Sequence, residues 1–129
     1  MDNLYLIIAA VIIVFLFLRR FSTANDKAIK NLTAEEAYEL IKSNKDVVII
    51  DVRTKDEYMK GHIPGSKSFP VGELSTRLSE LQKYKDKPVL VHCASGGRSP
   101  AALRILLKND FSQILHLKRG LMGWNYGLK

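Results

Sequence analysis

Two short apolar runs constrain this chain most. Val47-Val48-Ile49-Ile50 and Pro88-Val89-Leu90-Val91-His92 are too short for helices and show no polar alternation. They read as strands buried on both faces, which is the pattern of a parallel sheet. Proline is tolerated at the first residue of the second run. Helix signals lie around them. Thr33 with Glu36, and Thr54 with Glu57, form capping boxes that start helices, the second ending near Lys60. Ala37, Leu40 and Ile41 give the first of these its buried face. Leu74, Leu78 and Leu81 predict a helix over residues 73–82. Ser99 before Pro100 predicts an N-cap and a helix over 100–108. Residues 114–117 read as a last strand. Strands alternating with helices define an α/β domain with a mainly parallel sheet.

The N-terminus differs in kind. Residues 4–18 are apolar without one charge. Removing them leaves a body about 40% apolar, suited to a soluble domain. Residues 3–21 are therefore expected to form a transmembrane helix in contact with membrane lipid, with Arg19 and Arg20 snorkelling to the interface. A cleaved signal peptide is the rival, with the small residues Ser22, Thr23 and Ala24 as its cleavage region. It lacks a positive segment before the apolar run. A core helix fits poorly, because the run is apolar on every face. Residues 22–31 read as a polar linker and 32–129 as the folded domain. Arg19, Arg20, Lys27 and Lys30 follow the run, so the positive-inside rule puts the domain on the cytoplasmic side.

The net charge is +7. It favours solubility, and could favour anionic lipid or an anionic substrate. The basic residues are scattered, which argues against nucleic acid. Cys93 is the single cysteine in the 129 residues, so no internal disulfide and no multi-cysteine metal site can form. His92, next to Cys93 on a strand, faces the other way, and His62 and His116 lack ligand spacing. No metal and no cofactor are expected.

Cys93 stands where the second buried run ends and Ala94-Ser95-Gly96-Gly97-Arg98 leads into a helix. Open α/β sheets bind ligands at such strand ends. The helix N-terminus supplies free N–H groups and positive potential. Gly96 and Gly97 can take the positive φ that turns successive N–H groups into one nest. Arg98 adds a positive charge. Each favours a thiolate, so the Cys93 pKa is expected below that of a free thiol. Taken alone, the cysteine could equally be a small core residue; the combination points to a reagent.

In its motifs the chain resembles the rhodanese family. The carriers are Asp51-Val52-Arg53, then Glu57-Tyr58 with Gly61-His62-Ile63-Pro64-Gly65-Ser66, then Cys93 to Ser99, then Gly120-Leu121-Met122-Gly123-Trp124. The resemblance implies a small domain with a central parallel sheet. It also implies sulfurtransferase chemistry: Cys93 takes sulfane sulfur from an anion such as thiosulfate, holds it as a persulfide, and passes it to a thiol, cyanide or a protein. Related cysteine phosphatases and arsenate reductases place five residues between cysteine and arginine, and this chain places four. A non-catalytic binding module on the same fold is the other alternative.

The backbone of Ala94, Ser95, Gly96, Gly97 and Arg98 is expected to cradle the sulfur, with Arg98 steering the anion or else held in an ordinary salt bridge. Asp51 and Arg53, at a neighbouring strand end, could brace the loop but read first as a structural ion pair, and Ser99 is expected to cap the helix. His62 and Trp124 read as structural.

Overall fold

The structure, a computed structural model, describes residues 3–129, except for the side chains of residues 19–28. Helix α1 (Asn3–Ala28) leads into strand β1 (Ile29–Leu32). Then follow α2 (Ala34–Ser43), β2 (Val48–Asp51), α3 (Lys55–Lys60), β3 (Lys67–Ser68), β4 (Pro88–His92), α4 (Ser99–Lys108) and β5 (Gln113–Leu117). The strands form one sheet of order β1-β5-β4-β2-β3, with every pair parallel.

The two apolar runs are the inner strands. β2 pairs with β4 in the register Val48–Val89 to Asp51–His92. On one face Val48, Ile50, Val89, Val91 and Cys93 pack with Ala102, Leu103 and Leu106 of α4 and with Leu74 and Leu81. On the other, Ile49 and Leu90 pack with Ala37, Leu40 and Ile41 of α2. Both capping boxes form: Thr33 accepts from the Glu36 N–H, and Thr54 from the Glu57 N–H, at 3.2 Å each.

Three expectations need correction. The helix expected over 73–82 is two 3-10 segments, Ser75–Glu80 and Gln82–Tyr84. Tight three-residue turns suffice to bury Leu74 and Leu81. The stretch 22–31, read as a linker, holds the end of α1 and most of β1. β1 is an edge strand along β5, and its Lys30 and Asn31 are exposed. The helix before Lys108 starts at Ser99 with Arg98 as its cap residue, and no side chain caps it.

The expected membrane span finds no support in the fold. Every residue from 3 to 18 is exposed, including Leu4, Ile7, Val11, Phe15 and Leu18. Among the described residues, however, no helix is long and apolar enough to cross a membrane. The snorkelling expected of Arg19 and Arg20, and the cleavage region at 22–24, lie outside the described side chains.

Candidate active site at the end of β4

β4 ends at His92, and parallel alternation turns the next side chain, Cys93, toward the α4 face. The chain must then reach α4 within five residues. It wraps around the sulfur, and Cys93 is only 1% exposed. The Gly96 N–H points back at Sγ at 3.1 Å. Gly96 has φ +96°, and a Cβ there would collide with the Lys118 carbonyl oxygen. Gly97 lies outside the positive-φ region, so one glycine rather than two makes the turn.

Ser99, expected as a cap, is fully buried at the first turn of α4 and works differently. The Cys93 thiol donates to Ser99 Oγ at 3.4 Å. Ser99 Oγ also lies 2.6 Å from His116 Nε2. Burial pushes the Cys93 thiol pKa up. The Ser99 hydroxyl and the backbone N–H groups of Ser99, Arg98 and Gly96 push it down and prevail, so it falls below the ordinary thiol value. The environment therefore favours the nucleophilic form.

Arg98 does not face the sulfur as a free cation. Its guanidinium donates to both Glu57 carboxylate oxygens of α3, at 2.6 and 2.9 Å. That pairing holds the Glu57 carboxyl at a pKa of about 2. Of the two expected roles, the salt bridge is the one formed. Asp51 and Arg53 make a buried pair at 2.6 Å, and Arg53 also donates to the Gly61 carbonyl at 2.7 Å. They brace the end of β2 against the 61–66 turn, not the cysteine loop directly. His62 stacks on Tyr58, ring centroids 3.9 Å apart. Trp124 packs edge-on to Tyr38. Both are structural contacts.

The motif at 120–124 braces the loop from outside. The Leu121 N–H donates to the Cys93 carbonyl at 3.1 Å, and the Met122 N–H to that of Ala94 at 3.0 Å. Gly120 has φ +57°, and a Cβ there would strike the Cys93 and Ala94 carbonyls. Two site residues escaped sequence reasoning: Glu57, absorbed in its capping box, and His116, hidden in an apolar strand. Among the described residues, no group of three His, Cys, Asp or Glu is placed to hold a metal ion.

Fold and site define a small parallel α/β domain that presents one thiol in an anion-favouring loop at a strand end. Residues 33–126 match the sequence pattern of the Rhodanese-like domain, and the chain belongs to that family. It is 39% identical over 97 residues to the uncharacterized protein YibN of Escherichia coli, covering 74% of this chain and 67% of that one. It is 34% identical over 100 residues to the thiosulfate sulfurtransferase GlpE of Coxiella burnetii, covering 74% and 86%. A crystal structure of a rhodanese-like domain protein from Staphylococcus aureus superposes with a TM-score of 0.70 at 29% identity, covering 78% of this chain and 96% of that one.

Proposed function

We propose that this protein is a sulfurtransferase that carries sulfane sulfur on Cys93. The observation that carries the reading is the cysteine loop itself, with the Gly96 N–H aimed at Sγ at 3.1 Å. Relatives named thiosulfate sulfurtransferase support it. The Cys93 thiolate attacks the outer sulfur of a donor such as thiosulfate. A sulfur–sulfur bond forms, and the bond to the sulfonate breaks as sulfite leaves with its electron pair. Loop N–H groups then hold the persulfide sulfur. With no second cysteine in the 129 residues, the sulfur leaves by attack of an external thiolate, cyanide or a partner protein, which returns Cys93 as thiolate. The Glu57–Arg98 pair fixes the far end of the loop, with a reduced role for Arg98 in attracting anions.

The test is thiosulfate-dependent transfer to cyanide or a dithiol. Cys93→Ser is expected to abolish it; equal activity in wild type and variant excludes the mechanism. Binding without turnover would leave the thiol unmodified and favour the binding-module alternative.

We further propose that the domain works on the cytoplasmic side of a membrane. The exposed apolar length of residues 4–18 supports this, as do Arg19, Arg20, Lys27 and Lys30 after it. Cell fractionation should place the chain in the detergent-soluble membrane pellet. Recovery in the supernatant would contradict the placement.

A further inference from the structure

A chain of side chains joins the thiol to the outer edge of the sheet. Cys93 Sγ meets Ser99 Oγ at 3.4 Å, Ser99 Oγ meets His116 Nε2 at 2.6 Å, and His116 Nδ1 meets Asn31 Oδ1 at 3.0 Å. The contacts run from the residue after β4 through α4 and β5 to β1, and residues 31 and 116 are register partners in the sheet. We propose that Asn31 and His116 are positioning residues for Cys93, setting through Ser99 where the thiol proton goes.

The donor count fixes the polarity. An amide oxygen only accepts, so His116 Nδ1 carries the hydrogen toward Asn31. Nε2 is then the free lone pair of a neutral imidazole, and the Ser99 hydroxyl donates to it. The Ser99 oxygen is left to accept the thiol proton. When Cys93 ionises, the S–H bond breaks and its proton bonds to Ser99 Oγ. The proton Ser99 already carried passes to His116 Nε2. The products are a thiolate, a serine hydroxyl donating to it and an imidazolium, with no net change in charge. This is a cysteine–histidine activation relayed by one hydroxyl.

The neighbours suit that task. Burial and then the Lys118 charge push the His116 pKa down, so the imidazole is neutral before the thiol ionises and its Nε2 lone pair is free. Asn31 on β1 and Ser99 on α4, the side chains it meets, are uncharged, and Cys93 beyond Ser99 is uncharged until the thiol ionises. The thiolate then supplies the opposite charge that stabilises the imidazolium. A histidine placed only to fill the sheet would need neither the 2.6 Å contact nor a defined tautomer.

The inference rests on Cys93 as the nucleophile, so its test reads ionisation and not turnover. Iodoacetamide alkylation of Cys93 is followed against pH in the whole chain. His116→Gln should move the midpoint upward and slow alkylation at neutral pH by about tenfold, the change in thiolate fraction that one unit brings. His116 is buried, so Asn31, exposed on the edge strand, provides the independent variant. Asn31→Ala should shift the profile in the same direction, while Asn31→Asp, which still accepts from Nδ1, should restore it. Unchanged profiles in the Asn31→Ala and His116→Gln proteins overturn the relay. Shifted profiles in a protein that takes no sulfur from thiosulfate uphold the relay and overturn the sulfurtransferase reading.

Discussion

A thiol with 1% exposure ionises readily only if its surroundings favour the anion more than burial opposes it. At Cys93 the opposing group is the Ser99 hydroxyl together with three backbone N–H groups. A hydrogen bond to a charged group contributes roughly 1.5–3 kcal/mol. Ser99→Ala should therefore raise the thiol midpoint and slow alkylation at neutral pH by about tenfold or more. A profile matching wild type would show that the backbone alone suffices. Gly120 acts on the same loop from behind. Gly120→Ala puts a side chain at positive φ and against two loop carbonyls, so it should lower both the melting temperature and the rate of sulfur loading. Composition made the cysteine loop legible, because glycine, arginine and a strand end each have a local meaning. Ser99 was misread for a local reason too: a serine before proline looks like a cap. Its oxygen instead accepts from the Cys93 thiol and lies against His116, seventeen residues along the chain, which no local pattern encodes.

Among the elements, α3 is short, and its Glu57 does two jobs. It closes the Thr54 capping box and holds Arg98 at the foot of α4. Its folded pKa, about 2, lies below the ordinary carboxylate value of about 4.3. Stability from this pair is therefore present above about pH 4.5 and is lost as the pH falls toward 2. Urea midpoints measured across that window should fall for wild type. Glu57→Gln should flatten that part of the curve; identical slopes would contradict the pairing. The inner strands carry the fold. Leu90 is fully buried, and Leu90→Ala should cost about 2–5 kcal/mol by chemical denaturation. β2 and β4 were readable because burial on both faces leaves an unbroken apolar run. β1 was not, since an edge strand keeps polar residues such as Lys30 and Asn31, and β3 is only two residues long. The 3-10 segments share the i, i+3 spacing of a helix, so leucine periodicity could not separate the two.

Over the whole molecule, the parallel sheet brings four remote segments to the carboxyl ends of its strands. The cysteine loop follows β4, and the bracing glycine motif follows β5. The Glu57 helix follows β2, and Asn31 sits in β1. This is where open α/β sheets place their ligands, and it is why a loop of four residues between Cys93 and Arg98 can be held so closely. The exposed residues 3–18 add a second level, the proposed placement at a membrane, apart from the chemistry of the loop. The central claim is that this assembly makes Cys93 a sulfur carrier. Intact-protein mass spectrometry after brief exposure to thiosulfate tests it most directly. The account predicts a gain of about 32 Da, one sulfur atom, that is removed by a dithiol and is absent from Cys93→Ser. An unchanged mass in the wild type, or an equal gain in the variant, would contradict it.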